Sequence, residues 1–216
     1  MRLLPFSLPK IRALKRIGPH NFDILSILIG SMLGDCSAEK RSGSTRFSFQ
    51  QEGSHSGYLL WLHKLIAELG YCSSITPKLL IRLGKGSKIR HVLRFKTFSF
   101  VSFNWIYEAF YVNHIKVVPY FIEEYLSPLA LAIWIIDDGG LVSSGLKFAT
   151  NSFTKKDVEY LRKVLHNKYK LKASVVSAGV PNQFNIYISK EFIPLLRSIV
   201  KPYMHPSMYY KLNGHL

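Results

Sequence analysis

The chain has 216 residues, of which 48% are hydrophobic and 13% aromatic, a composition that predicts a packed core and excludes intrinsic disorder. Its 29 Lys and Arg against 13 Asp and Glu give a formal net charge of +16 at pH 7. This excess favours a polyanionic partner over a membrane surface, with a generic basic protein of the ribosomal kind as the alternative. Only two cysteines occur, neither in a CxxC pair, so a structural zinc site and a disulfide framework are not expected.

The N-terminal segment 1–22 carries five basic residues and no acid. Prolines at positions 5, 9 and 19 interrupt any long amphipathic helix. A basic arm that touches DNA, or the remnant of an upstream reading frame, is therefore at least as good an interpretation as an organellar targeting segment. The apolar run Ile24–Leu33 that follows is too short to cross a bilayer.

The rest of the chain is predicted to contain one structural unit twice. In the first copy we expect a helix at 23–35, strands around 45–51, a helix at 55–69, a hairpin at 77–98 and a helix at 100–112. In the second copy we expect a helix at 127–138, strands at 146–152, a helix at 154–169, strands at 171–177 and 183–189, and a helix at 190–200. The predicted fold class is α+β, with pseudo-symmetric αββαββα repeats at 23–112 and 127–216 and a linker at 113–126.

Polar and apolar residues alternate along the predicted strands, which places each set on one face of a sheet. The polar sets contain Lys, Arg, Gln, Asn, Ser and Tyr with almost no Asp or Glu, whereas an ordinary solvated face would mix acids with bases. These side chains hold phosphates and contact base edges, so DNA-binding faces are favoured over plain solvated faces. The predicted contact residues are Arg46, Ser48, Gln50, Lys78, Arg82, Lys88, Arg90, Arg94, Lys96, Lys147, Asn151, Gln183, Asn185 and Tyr187.

Two apolar segments are each followed by carboxylates: segment 24–33 by Asp35, and segment 129–136 by Asp137 and Asp138. Gly30 and Gly34 lie on one face of the first segment, and a glycine within a helix costs up to about 1 kcal/mol relative to alanine. Close approach by the second helix is the expected reason, and this packing would bring Asp35 and Asp138 together. Because a helix C-terminus disfavours carboxylates, the pair predicts a counter-charge such as Mg²⁺. The alternative is that both aspartates are ordinary surface residues at helix ends.

The stretches LIGSMLGDC (28–36) and LAIWIIDDG (131–139) resemble the LAGLIDADG signature, each with aspartate at its eighth position. Two copies in one chain resemble the single-chain LAGLIDADG homing endonucleases. The stretches YLSPLALAIWIIDDGG, NSFTKKDVEYL and KPYMHPSMYYKL are also similar to mitochondrial intron-encoded members of that family. The similarity covers nearly all of the chain after residue 22.

The resemblance implies an architecture and an activity. Antiparallel sheets would form a DNA-binding saddle, with parallel motif helices at its centre and one active site in each half. Each site would cut one strand of a long double-stranded DNA target, and the resulting double-strand break would promote intron mobility. The resemblance further implies a mitochondrial monomer that needs no protein partner. Its cofactor would be Mg²⁺, with Mn²⁺ or Ca²⁺ able to substitute in binding.

Site residues follow from the same resemblance. The implied metal ligands are the carboxylates of Asp35 and Asp138 and the carbonyl oxygens of Gly34 and Asp137. The implied catalytic side chains are Lys116 and Lys211, one base in each site, and Gln50 and Asn151, the polar pair that orders the attacking water. Without the resemblance, Lys116 would be interpreted as a linker lysine and Lys211 as a tail lysine.

Two other functions fit the same scaffold. An RNA-splicing maturase would need no catalytic carboxylates, so the intact Asp35 and Asp138 favour the nuclease. A transcription regulator would usually lose these acids and add a helix-turn-helix domain, for which the chain has no room.

Overall fold

The computed structural model describes residues 16, 18–87, 89–143 and 145–212. The chain divides into two compact units. The first contains the residues up to Ile24 together with Asp35–Tyr107, and the second contains Leu25–Gly34 together with the residues from Glu108 onward. The two units do not coincide with the sequence repeats at 23–112 and 127–216, because segment 25–34, which belongs to the first repeat, packs within the second unit. Most of the predicted basic arm lies outside the described residues.

The elements of the first repeat follow the predicted αββαββα order. They are α1 (Phe22–Leu33), β1 (Ser37–Arg41), β2 (Ser44–Glu52), α2 (Ser56–Glu68), β3 (Leu79–Leu83), β4 (Ile89–Lys96) and α3 (Asn104–Phe110). The strands form an antiparallel sheet in the order β1-β2-β4-β3. Strand β1 was not predicted, because its residues SAEKR lack the apolar alternation that marks a half-buried strand.

The second repeat has the same order and the same sheet topology. A short hairpin, β5 (Tyr111–Val112) and β6 (Ile115–Lys116), and the helix α4 (Ile122–Tyr125) precede it. Its elements are α5 (Pro128–Asp138), β7 (Gly139–Val142), β8 (Gly145–Phe148), α6 (Lys155–Tyr169), β9 (Ala173–Ser177), β10 (Phe184–Ile188) and α7 (Ile193–Val200). The antiparallel sheet runs β7-β8-β10-β9. The predicted fold class is confirmed in its repeated α+β order and antiparallel sheets.

Each sheet packs its apolar face against the helix that follows its second strand. In the first unit, Phe49 and Phe95 stack at 4.7 Å between ring centroids, and His63 of α2 contacts Phe95 at 5.1 Å. In the second unit, α6 begins at a capping box formed by Thr154 and Asp157 and packs on β9 and β10. The polar face of each sheet is therefore the face opposite its helix.

Helices α1 and α5 pack side by side within the second unit. The Ser127 hydroxyl donates to the Ser26 hydroxyl at 2.8 Å. One turn further along, a Cβ added to Gly30 would lie 2.4 Å from the Ala130 carbonyl oxygen. The contacts advance in the same direction along both helices, so the helices are parallel. The predicted reason for an internal glycine, close helix approach, is confirmed at Gly30.

We expect Gly30→Ala to lower the free energy of unfolding by about 1–3 kcal/mol, since the added methyl would overlap the Ala130 backbone. Helix propensity alone predicts that the change to alanine would raise the free energy of unfolding. Chemical denaturation measures the difference. Gly140→Ala is the matched control, because no atom lies within 4 Å of a Cβ at that position. A Gly30→Ala protein as stable as this control would contradict the close packing.

Within the described residues, none of the helices combines the length and the apolar character that a membrane crossing requires. Cys36 and Cys72 are both buried and free.

Candidate functional site

At the C-terminal end of the first LAGLIDADG-like motif (28–36), a lysine ammonium binds a backbone carbonyl oxygen. Lys116, the last residue of β6, donates from Nζ to the Gly34 carbonyl oxygen at 2.9 Å. The same Nζ lies 6.0 Å from the centre of the Phe153 ring. Carbonyl oxygens at a helix C-terminus carry partial negative charge, so a cation is stabilised here. A Cβ on Gly34 would lie 2.5 Å from Asp137 Cβ, and this backbone position therefore requires glycine.

At the C-terminal end of the second motif (131–139), another lysine ammonium binds backbone carbonyl oxygens. Lys211, in the 3-10 turn Pro206–Leu212, donates from Nζ to the carbonyl oxygens of Ile136 and Asp137, the latter at 3.2 Å. Only 8% of Lys211 is exposed, and a buried ammonium must be hydrogen-bonded to remain charged at acceptable cost. Lys116 and Lys211 thus occupy equivalent positions, since each contacts the carbonyl of the residue immediately before a motif aspartate.

Gln51 contacts the first motif aspartate, within the first unit. Its Nε2 donates to Asp35 Oδ2 at 2.7 Å. The residue predicted for this region, Gln50, lies opposite Arg94 on the other face of β2. Gln51 has the same parity as Phe49 and so points to the face that packs on helices. Gln51 was not predicted because it lies outside the polar set of the strand, although the alternation itself places the two glutamines on opposite faces.

The second motif aspartate has a different neighbourhood in its own unit. The Asp138 carbonyl oxygen accepts from Ala149 N at 2.9 Å. The strand registers place Ala149 opposite Asp138, as they place Gln50 opposite Asp35, so Thr150 is the counterpart of Gln51. Thr150 is fully buried and donates to the Phe184 carbonyl at 2.7 Å. The predicted Asn151 lies exposed in the following turn.

The polar face of the first sheet contains an acid, Glu39, on the unpredicted strand β1. Glu39 accepts from Arg46 Nη2 at 2.8 Å and from Lys96 Nζ at 2.7 Å. Hydrogen bonds from Lys96 and then Arg46 lower the pKa of Glu39 to about 2. The interpretation of this face as nearly free of acids is therefore wrong at its β1 edge. Two of the predicted phosphate-binding cations are partly neutralised there.

We expect Glu39→Gln to destabilise the protein at neutral pH by about 1 kcal/mol, the scale of a partly exposed ion pair. Because folding lowers the pKa of Glu39 from 4.5 to about 2, the contribution of its ionised carboxylate to the free energy of unfolding is fully present above pH 4.5. It is lost as pH falls from about 4.5 towards 2. Chemical denaturation of both proteins at neutral and acidic pH measures this. A stability difference that does not shrink in acid would contradict the assignment.

The remaining predicted contact residues of the first unit lie on or beside β3 and β4. Arg94 Nε donates to Ser48 Oγ at 3.1 Å, which fixes this guanidinium over the polar face. Arg90 is exposed and forms an ion pair with Glu52. Arg82 lies opposite Arg90 in the strand register, and Lys78 is exposed just before β3. The predicted Lys88 lies outside the described residues.

The polar face of the second sheet has fewer bases. Lys147 and Tyr187 are half-buried cross-strand partners, and Gln183 is half-buried just before β10. Asn185 is only 5% exposed, and its Oδ1 has no hydrogen-bond partner among the described residues. Of the predicted contact residues on this face, Lys147, Gln183 and Tyr187 keep part of their side chains exposed, as direct contact requires, whereas Asn185 is covered.

The donor atoms at the two motif ends fit a divalent metal. Among the described residues, no group of three or more His, Cys, Asp or Glu side chains could hold a metal ion. Each motif end instead offers one carboxylate and one backbone carbonyl, and both carbonyls already accept from a cationic ammonium. Mg²⁺ characteristically uses one or two carboxylates and keeps several waters, so this all-oxygen set suits it.

The chain is similar to known proteins in sequence and in fold. A family model described as the LAGLIDADG DNA endonuclease family matches residues 25–196. The cytochrome b mRNA maturase bI2 of Saccharomyces cerevisiae is 51% identical over 209 residues, which are 93% of this chain and 49% of the yeast protein. The intron-encoded endonuclease ai4 of Dictyostelium discoideum is 41% identical over 156 residues, covering 70% of this chain and 98% of that protein. The chain therefore spans about half the length of the yeast relative.

Solved structures share the fold. The homing endonuclease I-WcaI bound to its DNA recognition sequence superimposes with a TM-score of 0.84 at 26% identity, covering 94% of this chain and 93% of that one. A variant of the homing endonuclease I-DmoI, in complex with its target DNA in the presence of Mg, has a TM-score of 0.53 at 15% identity and covers 83% and 96% of the two chains. The second likeness concerns the fold alone.

Proposed function

The chain belongs to the LAGLIDADG DNA endonuclease family, and from this premise we propose that it is a site-specific homing endonuclease. It makes a metal-dependent double-strand break in a long DNA target and thereby promotes intron mobility. The observation that carries the proposal is the paired arrangement of the lysines. Lys116 and Lys211 each place an ammonium on the carbonyl that precedes a motif aspartate, so a cation is held at the same backbone position of both motifs.

The catalytic roles divide between the two motif ends. Asp35 and Asp138, with the carbonyl oxygens of Gly34 and Asp137, would hold Mg²⁺, and Mn²⁺ or Ca²⁺ would substitute in binding. A bound divalent ion supplies polarisation of the scissile phosphate and neutralisation of the charge that develops on it. Water attacks this phosphorus in line with the leaving 3′ oxygen, and cleavage leaves 5′ phosphate and 3′ hydroxyl ends.

The protein's own groups orient the reaction and stabilise charge. The ammoniums of Lys116 and Lys211 stabilise negative charge that grows on the phosphate in the transition state. Gln51 holds the Asp35 carboxylate in one orientation through its 2.7 Å hydrogen bond. The counterpart position in the second repeat is Thr150, which instead donates to the Phe184 carbonyl oxygen.

DNA would bind through the polar sheet faces, with Arg94 and Lys96 of the first unit and Lys147 and Tyr187 of the second as the best-placed contacts. Arg94→Gln should weaken DNA binding and relax base preference by about 1–3 kcal/mol, because a fixed guanidinium can contact guanine through two hydrogen bonds. Competitive binding to a library of single-base variants of the target measures both effects. Lys64→Gln, on α2, removes the same charge away from this face and should change neither quantity.

Cleavage of DNA that spans the intronless form of the host gene junction tests the proposal. With Mg²⁺, the purified chain should linearise a plasmid that carries this junction and leave an intron-containing copy intact. Failure to cut any such junction, by a folded protein that binds the DNA, would overturn the endonuclease assignment. We further propose that the protein acts in mitochondria as a monomer. Equilibrium sedimentation with the DNA target tests the monomer directly.

A second function has specific support. The yeast relative at 51% identity is named as an mRNA maturase. We therefore propose RNA-splicing activity as the alternative, or as an additional activity of the same chain. Splicing of a precursor transcript in the presence of Asp35→Asn protein separates the two, because a maturase needs no catalytic carboxylate.

A further inference from the structure

The outer face of α6 carries a row of lysines. The helix buries Val158, Leu161 and Leu165 and packs on β9 and β10, so its opposite face points to water. Lys156 and Lys163, together with Lys170 at the C-cap, are exposed and follow one another at intervals of seven residues. Seven residues are close to two helical turns, so Lys156 and Lys163 lie on one face about 10 Å apart. Lys170 continues the row at the C-cap, where it has the left-handed conformation and its Nζ donates to the Asn167 carbonyl oxygen at 3.0 Å.

The acids of α6 do not neutralise this row. The helix contains five basic side chains and two acidic ones, a net formal charge of +3 in 15 residues. Asp157 is engaged with the Thr154 hydroxyl at 2.8 Å, and Glu159 accepts from Arg162 at 2.8 Å. Lys170 and Lys172 add two further charges directly after the helix. On the side of α6 away from α4, whose Glu123 and Glu124 backbone carbonyls accept from Lys168, a strip about 20 Å long is therefore cationic.

The fold itself does not require this charge. Helix α2 occupies the same place in the first repeat, between the second and third strands of its sheet. It carries one base and one acid, Lys64 and Glu68, whose charged atoms lie 3.8 Å apart. Two helices with the same structural role thus differ by three formal charges, so the lysine row calls for an explanation of its own.

The proposed DNA contacts do not explain it. In the second unit, α6 covers the apolar face of the sheet, whereas Lys147 and Tyr187 lie on the other face. A duplex on the polar face would leave the lysine row unused. We propose that the outer face of α6, centred on Lys156, Lys163 and Lys170, binds the phosphate backbone of double-helical RNA. This inference rests on the second proposed function and extends it to a surface.

Double-helical RNA fits this surface for two reasons. Proteins recognise A-form RNA mainly through its shape, phosphates and 2′ hydroxyls, which an exposed row of flexible ammoniums can contact without base readout. The aromatic side chain of α6 beside the row, Tyr160, is partly buried and its hydroxyl donates to the Tyr120 carbonyl oxygen, so its ring is anchored and not presented for stacking single-stranded bases. Binding here would leave the polar sheet faces available for DNA.

The test uses the full chain with Lys156, Lys163 and Lys170 all changed to Gln. The probes are an RNA duplex and a DNA duplex of about 20 base pairs each, longer than the ~16 that a double-stranded-RNA-binding domain spans. Without metal, we expect the triple variant to lose RNA affinity tenfold or more. Its plot of log K against log salt should become shallower by about 2–3, since three phosphate contacts are lost. Affinity for the DNA duplex should stay unchanged.

Two control proteins make the result specific. Changing the exposed Lys64, Lys190 and Lys201 to Gln removes the same charge elsewhere and should preserve most RNA affinity. Changing the α6 row to Arg should preserve it as well. Three outcomes would each overturn the proposal. RNA affinity could fall equally in the Lys64, Lys190 and Lys201 variant, the α6 variant could lose DNA affinity as much as RNA affinity, or its RNA affinity could stay unchanged. The single Lys163→Gln change, with an expected slope change of about 1, serves if the triple variant does not fold. Plasmid cleavage by the triple variant shows separately whether the nuclease function stands.

Discussion

Asp35→Asn and Asp138→Asn should each abolish double-strand cleavage while DNA affinity holds or rises. Each change removes a carboxylate proposed to bind metal, and also removes negative charge that repels phosphate. We expect the cutting rate to fall by about 10²–10³-fold or more, the scale on which one preorganised charge-stabilising group acts. Single-turnover cleavage with saturating protein separates this chemical effect from binding.

Asp137→Asn is the matched control for this experiment. Asp137 is adjacent to Asp138 and has the same side chain, but its proposed contribution is the backbone carbonyl, and the first repeat has Gly34 at this place. We therefore expect Asp137→Asn to retain cleavage. An Asp35→Asn or Asp138→Asn protein that makes double-strand breaks at nearly the wild-type rate would show that the catalytic assignment is wrong.

Lys116→Met and Lys211→Met should each slow the cutting of one DNA strand preferentially. The two ammoniums contact the ends of different motifs, one at Gly34 and one at Asp137. A lysine that stabilises transition-state charge affects rate more than ground-state binding. Nicked plasmid should therefore accumulate before linear product in each variant, and opposite strands should be nicked in the two variants.

Cleavage kinetics with the two strands labelled separately test this prediction. Lys64→Met is the control for loss of a lysine outside either motif end and should leave both rates unchanged. Thermal unfolding of Lys211→Met checks that the buried methionine is tolerated. Equal slowing of both strands by each variant would contradict separate sites, and unchanged rates would make Lys116 a linker lysine and Lys211 a tail lysine.

The motif helices were predictable from sequence because their signals are local. Glycine at position 30 is unfavourable in an isolated helix, so its presence indicated a close neighbour before the Ala130 contact was known. The αββαββα order followed from hydrophobic periodicity repeated in both halves. The proposed lysine assignments came from resemblance, and the contacts of Lys116 and Lys211 with the motif ends add a physical basis to them.

Features that depend on tertiary pairing were harder to predict. β1 is polar along its length and is held in the sheet by its pairing with β2, so its own sequence gave no strand signal. Missing β1 also hid Glu39 and its ion pairs with Arg41, Arg46 and Lys96. The identity of the glutamine near Asp35 depends on strand parity at the end of β2. A side chain one position further along the strand points to the opposite face of the sheet, so Gln50 and Gln51 lie on different faces.

The most direct test of two motif ends cutting opposite strands is a time course of the wild-type chain on its target with both strands labelled. The cut ends are mapped with Mg²⁺ and with chelator. We expect one cut in each strand, 5′ phosphate and 3′ hydroxyl ends, and no cleavage in chelator. A protein that cuts only one strand at every time point, or that cuts equally well in chelator, would contradict the proposed mechanism.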